Sequence, residues 1–214
     1  MPAPLISGAG IWALPFREKK ARDIFTFCAA LLNSLLIFML LLKRPDKALT
    51  LLHLAKDFSF SLKLDGAGVI FLALIAFLWP LAVLYSLEYM EHEENLPRFF
   101  SFYMMSYGIT AGVALSANLL TMYFFYELLT LVTIPLVAHD ENRRSMRAAR
   151  KYIIYSIGGA ALSLTGILML ISRTGCTEYL YGGAAGAVAG DSFLLTAYFL
   201  TFIGFGVKAA VFPL

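Results

Sequence analysis

The chain has 214 residues, of which 60% are hydrophobic and 14% charged, with a net charge of +3 and a mean hydropathy of +0.76. A soluble domain carries about 25% charged residues, and a fold of this size buries only about 70% of its surface. A water-soluble enzyme, a disordered segment and a disulfide scaffold are therefore excluded, and the small net charge gives no reason to expect a nucleic-acid partner. An integral membrane protein remains, helical because its apolar runs are continuous rather than alternating.

The uncharged stretch before Arg17 contains Gly8 and Gly10 and predicts a marginal first span over about 4–16. The basic cluster Arg17–Arg22 follows this stretch instead of preceding it, the reverse of a cleaved secretory leader. Roughly 20 apolar residues cross a hydrocarbon core, so Ile24–Leu42 and Gly66–Leu87 predict spans over 24–42 and 66–87. The second carries Pro80 near its middle and Asp65 as its N-cap. Phe99–Ala138 is twice the needed length and must fold back. Its polar cluster Ser116-Ala117-Asn118 puts the turn between spans at 99–116 and 119–138. Tyr152–Ile171 predicts a span over about 150–172, and Ser192–Leu214 one over 192–214. Lys43–Asp65, Glu88–Arg98, His139–Lys151 and the Gly-rich Arg173–Asp191 read as loops. The expected fold is an all-α polytopic bundle of about six or seven spans, divided into an N-terminal group over 1–97 and a second group over 98–214. The apolar run ends on Lys208–Leu214 with no polar flank, which predicts a fragment or a split subunit.

Orientation follows from the Lys and Arg residues flanking the spans. With seven spans, one set of loops holds Arg17, Lys19, Lys20, Arg22, Arg98, Arg143, Arg144, Arg147, Arg150 and Lys151. The other holds Lys43, Arg44, Lys47, Lys56, Lys63 and Arg173. The larger set predicts the inner side, and hence an N-terminus outside.

Two ionisable residues lie within spans, Glu127 and Lys208. An isolated charge at mid-bilayer costs about 2.5–3.5 kcal/mol on insertion scales, so such residues usually face a bundle interior, pair, and serve an ion pathway. At about 4 Å and an effective dielectric near 20, opposite charges gain roughly 4 kcal/mol. Such a pair either relays protons or simply locks two helices. Counting from the predicted helix starts puts the two residues about 10 Å apart in depth. Thr130 at i+3 and Tyr123 at i−4 share the face of Glu127, while Pro135 removes a helix hydrogen bond and predicts a kink. Around Lys208, Thr201 and Gly204 lie at i−7 and i−4, and Pro213 at i+5 frees the carbonyl of Ala209. Individually, these glycines and prolines read as close packing and kinks.

The remaining candidates carry less. Gly158, Gly159, Ser163 and Gly166 form a small-residue stripe of the helix-packing kind. His53, His92 and His139 sit in separate loops without metal-ligand spacing, so neither metal nor cofactor is expected. Cys28 and Cys176 read as apolar packing residues, Tyr85, Tyr89, Tyr152 and Tyr155 as interfacial belts, and the arginines from Arg143 onward as topology anchors.

The segments LDGAGVIFLALIAFLWPLAVLYSLEYM (64–90), RFFSFYMMSYGITAGVALSANLLTMYFFYELLTLVTIPLVAH (98–139), RAARKYIIYSIGGAALSLTGILML (147–170) and FIGFGVKAAVFPL (202–214) resemble one family. They are similar to the antiporter-like, proton-translocating subunits of respiratory complex I, Mrp-type Na+/H+ antiporters and energy-converting membrane-bound hydrogenases. The resemblance covers roughly residues 58–214 and is carried most specifically by YELLT and GFGVKAAVFPL. It implies two inverted repeats, each with a half-channel around a broken helix, and an N-terminus outside. It also implies a switchable ion pair, which falls on Glu127 and Lys208, and a helix break at Pro213. The family's second repeat has no counterpart here, nor has the ionisable residue of its eighth helix.

The function expected is proton translocation through a half-channel gated by Glu127 and Lys208. Tyr123, Thr130, Pro135, Thr201, Gly204 and Pro213 surround the pair. Electron transport or Na+ exchange would lie in partner membrane subunits of the same complex, in a bacterial or archaeal cytoplasmic membrane. The alternatives are a Na+ or solute transporter and a structural subunit without an ion path. An intramembrane enzyme is the least supported, for want of a nucleophile–base or metal set.

Overall fold

The computed structural model describes residues 2–14, 16, 18–45, 47–55, 58–175, 177–179 and 191–211. Arg17, Lys56, Cys176, the Gly-rich stretch 180–190 and Pro213 lie outside the described residues, as does the side chain of His53. The described residues form α1 (Pro2–Ala13), α2 (Lys19–Lys43), β1 (Leu49–Ala55), β2 (Phe58–Leu62), α3 (Gly66–Tyr89), α4 (Leu96–Ala114), α5 (Leu119–Val137), α6 (Arg143–Thr174) and α7 (Ser192–Lys208). Among them α2, α3, α5 and α6 are long and apolar enough to cross a bilayer, and α7 is apolar but shorter. The chain is an integral membrane protein.

Local chemistry sets most helix starts. Asp65 accepts from the Gly68 N–H at 2.6 Å and Asn118 from the Thr121 N–H at 2.8 Å. Asn142 accepts from Arg144 and Ser145, and Asp191 from Phe193. Each side chain satisfies amide donors that the first turn leaves without partners. The turn expected at Ser116-Ala117-Asn118 is there, between α4 and α5.

Three elements depart from the sequence expectations. The linker over 43–65 folds into an antiparallel β1–β2 hairpin instead of a loop. Its second strand, Phe58-Ser-Phe-Ser-Leu62, alternates apolar and polar residues as a half-buried strand does. The hairpin is tied to the α4–α5 turn by Lys63 N–H to Leu115 O at 2.8 Å and Ala117 N–H to Ser61 O at 3.0 Å. The first helix has 12 residues, about 18 Å at about 1.5 Å per residue, against a core of about 30 Å. The last helix closes at Lys208 instead of running on through Ala209–Val211.

The buried centre of the first five helices is α4, which packs against α1, α3 and α5. Its sequence, LPRFFSFYMMSYGITAGVA, is polar for a membrane helix because its partners are protein groups and not lipid. Ser101 donates to Gly8 O at 2.7 Å, and the hydroxyls of Tyr107 and Ser34 pair at 2.8 Å. Outward faces carry the apolar load: Ile70, Phe71, Phe77, Leu78 and Leu84 of α3 are all exposed. Cys28 is also exposed, on the outward face of α2 and not in packing.

In the second group α7 lies closely along α6. A Cβ at Gly159 would come within 2.8 Å of Val207 Cβ and 2.9 Å of Gly204 O, and one at Gly166 within 2.6 Å of Ala197 O. Ser163 is buried on the same seam. The small-residue stripe is thus a packing face, as expected, except at Gly158, beside which a Cβ would meet nothing within 4 Å. Gly166→Val should therefore lower the unfolding free energy by about 1–3 kcal/mol through overpacking, while Gly158→Ala should raise it by about 0.5–1 kcal/mol. Thermal unfolding of the detergent-solubilised protein measures both.

Candidate functional site

Lys208 is the last residue of α7, and the backbone turns sharply beyond it. Val211 N–H reaches Gly206 O at 3.0 Å and Ala210 N–H reaches Val207 O at 3.3 Å. Ala210 adopts φ 52°. The two hydrogen bonds and the left-handed residue make a Schellman closure, with alanine where glycine is usual. The turn ends the helix beside the lysine and leaves the negative end of the helix dipole next to a cation, a favourable arrangement.

The Lys208 ammonium crosses to α5. Its Nζ donates to Tyr126 O at 2.6 Å and to the Thr130 hydroxyl, and lies 3.7 Å from Glu127 Oε1. It also sits 3.6 Å from the centroid of the Tyr126 ring, in cation–π geometry. The side chain of Lys208 is 12% exposed and that of Glu127 27%. Glu127 Oε1 is itself buried and accepts no hydrogen bond from the described residues. The pair is therefore a close ionic contact without a direct hydrogen bond, worth about 4 kcal/mol of gross attraction at an effective dielectric near 20.

The residues named from sequence separate into two sets. Thr130 belongs to the site: its hydroxyl donates to Tyr126 O at 3.3 Å and receives Lys208. Tyr123 makes no hydrogen bond to Glu127, although it lies near enough to feel the carboxylate's charge. Pro135 lies inside α5, which continues to Val137. Thr201 donates to Ala197 O at 2.8 Å, and its hydroxyl and Gly204 line the seam with α6 rather than the ion pair. The depth mismatch expected between Glu127 and Lys208 is absent, because α7 ends at the level where α5 presents its carboxylate.

A cleft of about 680 Å³ borders the ammonium, lined among others by Ser106, Thr110, Thr133, Tyr152 and Lys208. The hydroxyls of Thr133 and Tyr152 pair at 2.8 Å within it. Sequence reasoning missed Tyr126, whose carbonyl and ring both hold the lysine; no side-chain spacing rule identifies a backbone acceptor. It also assigned Tyr152 to an interfacial belt, where Tyr85, Tyr89 and Tyr155 are indeed exposed, whereas Tyr152 turns toward α5. At the hairpin end a separate cleft of about 360 Å³ includes Lys63, Asp65, Ser116 and Tyr179. There burial, reinforced by Asp65, pushes the Tyr179 phenol up to about 12. Among the described residues no three His, Cys, Asp or Glu side chains come together as a metal centre.

Comparison with known proteins places these features in a family. Residues 116–214 match the family model described as NADH:quinone oxidoreductase/Mrp antiporter, TM, and residues 53–100 match that of NADH-ubiquinone oxidoreductase (complex I), chain 5 N-terminus. A Na(+)/H(+) antiporter subunit A1 of Staphylococcus aureus is 32% identical over 158 residues, covering 72% of this chain and 20% of that protein. The chain thus spans about a fifth of the length of the curated relatives it matches. The fold is similar to a chain of the archaeal membrane-bound sulfane sulfur reductase, with TM-score 0.79, 19% identity, and 99% of this chain and 44% of that one covered. Respiratory complex I from Thermus thermophilus gives 0.78, 20%, 99% and 44%. The Mrp complex from Dietzia sp. gives 0.81, 17%, 98% and 24%.

Two outcomes test the geometry. Lys208→Ala leaves a partly buried carboxylate without its cation, so the double variant with Glu127→Gln should recover part of the stability lost. The coupling expected from a double-mutant cycle is between about 0.5 and 3 kcal/mol. Ala210→Gly removes the side chain from a left-handed position and should raise the unfolding free energy by about 1 kcal/mol in the same melting assay.

Proposed function

This chain belongs to the family of antiporter-like membrane subunits represented in respiratory complex I and the Mrp antiporters, and we propose that it carries protons by way of Lys208 under the control of Glu127. The observation that supports this most is the placement of a single ammonium between a carboxylate and a largely apolar cleft that carries a few hydroxyls, among them those of Thr133 and Tyr152. Lysine in such a setting has two usable protonation states, and the nearby carboxylate biases their balance. A change in the 3.7 Å separation changes the lysine's hold on its proton. Lys208 sits on the terminal turn of α7, so that turn can move the ammonium while the seam with α6 stays closed.

Protons would reach Lys208 through the cleft, where Thr133 and Tyr152 offer hydroxyls that both donate and accept. Thr130 and the Tyr126 carbonyl position the ammonium and take no part in proton exchange. Partner membrane subunits would supply the driving reaction, electron transport or Na+ exchange, since the titratable groups here point to proton transfer alone. The orientation proposed puts the N-terminus outside and the larger basic set inside. In support, the members of the two sets among the described residues lie at opposite ends of the helices. Arg98 bonds Glu141 across one end, and the hairpin joins the α4–α5 turn at the other.

Proton movement into inverted membrane vesicles tests the proposal, with the chain in its assembled complex. Glu127→Gln and Lys208→Ala should each reduce the rate about tenfold or more, and Thr130→Val should reduce it less. Unchanged rates in both charge variants would mean that the pair only locks α5 to α7. Transport that follows Na+ and ignores pH would favour a sodium path instead.

A further inference from the structure

At the end of the bundle opposite the hairpin, the last turn of α5 and the first turns of α6 enclose a cleft of about 510 Å³. Arg143, Arg147 and Arg150 line it nearer the start of α6, and the apolar Ile134, Ile153 and the exposed Ile154 line it farther along. The arginines recur at i, i+4 and i+7 and so share one face of α6. All three are exposed, and among the described residues none forms an ion pair. In the loop before α6, Glu141 is engaged by Arg98 and Asp140 accepts from Asn142.

With 32 residues, α6 is about 48 Å long against a hydrocarbon core of about 30 Å. Its first turns therefore stand in the headgroup layer, and the isoleucines follow at the depth of the acyl chains. Cationic and apolar linings thus succeed each other along the helix axis in the order of a phospholipid's own parts. Guanidinium groups match phosphate oxygens with paired donors, and basic clefts between helices at this level suit anionic headgroups. An acidic soluble peptide would complement the arginines but leave the isoleucines uncovered. We propose that this cleft is a binding site for one anionic phospholipid, its phosphate held by Arg143, Arg147 and Arg150 and one acyl chain laid along Ile134, Ile153 and Ile154. The site is independent of the proton path and stands or falls without it.

Native mass spectrometry of the intact protein in detergent, titrated with phosphatidylglycerol or phosphatidylcholine, tests the site. At about 1 kcal/mol for each arginine, the phosphatidylglycerol complex should be about a hundredfold tighter. The variant R143Q/R147Q/R150Q should bring the two lipids within about threefold of each other, while R144Q/K151Q, which removes charge from the same segment off the cleft, leaves the preference intact. Ile153→Trp keeps every charge needed for membrane insertion and fills the apolar part of the cleft, so it should weaken phosphatidylglycerol alone by about tenfold. A preference that survives the triple change, or that falls equally with R144Q/K151Q, would overturn the proposal. So would displacement of the lipid by glycerol phosphate as readily as by phosphatidylglycerol, which would identify a plain anion site. Displacement by polyglutamate with the same sensitivity to Ile153→Trp would identify a protein-docking surface instead.

Discussion

A lysine ammonium inside a bilayer needs acceptors from the protein, because lipid offers none. Lys208 finds two on one helix, the Tyr126 carbonyl and the Thr130 hydroxyl, with the Glu127 carboxylate beside them as a counter-charge. The helix that carries it stops at the lysine itself, so the side chain leaves from an end whose own carbonyls are also negative. Everything else in the second half of the fold serves that crossing. α5 must lie close enough to present its carbonyl, and α6 must hold α7 at the right height.

Two kinds of surface do this work. The α6–α7 seam is built around Gly159, Ser163, Gly166 and Gly204, which let Val207, Thr201 and the facing backbone carbonyls come close. In lipid, where burial of apolar surface gives helices no reason to associate, such close approach supplies the packing that holds them. Toward α5 the pair leaves a cleft, mostly apolar, in which Tyr152 of α6 meets the Thr133 hydroxyl of α5. The pair is thus tightly packed on one face and bordered by space on the other.

The two ends of the molecule differ chemically. The hairpin end is bound by backbone hydrogen bonds among the β2 region, the α4–α5 turn and the α6–α7 connection. The other end is held by side-chain charges, with Arg22 over Phe100 and Arg98 bonded to Glu141. Backbone pairing resists changes in salt and headgroup, whereas exposed guanidinium groups respond to both.

Much of this was legible in the residues. Unbroken apolar runs specify membrane helices, because length and hydropathy alone decide whether a segment suits lipid. The reversal at Ser116-Ala117-Asn118 and the cap at Asp65 follow from local polarity and hydrogen bonding, which span only three residues and so read directly. Glu127 and Lys208 stand out as the two charges in otherwise apolar segments. The alternation in Phe58–Leu62 was legible too, yet its strand forms only because β1 and the α4–α5 turn supply partners. That the two charges meet was beyond the chain alone: their depths depend on where α7 closes, and a left-handed alanine with no special sequence signal sets that point. Tyr126 and Tyr152 likewise owe their roles to which helix lies opposite. Sequence determines what a segment can tolerate around it, and the tertiary fold decides what is there, because contacts between residues 78 to 82 apart along the chain depend on packing that no local rule encodes.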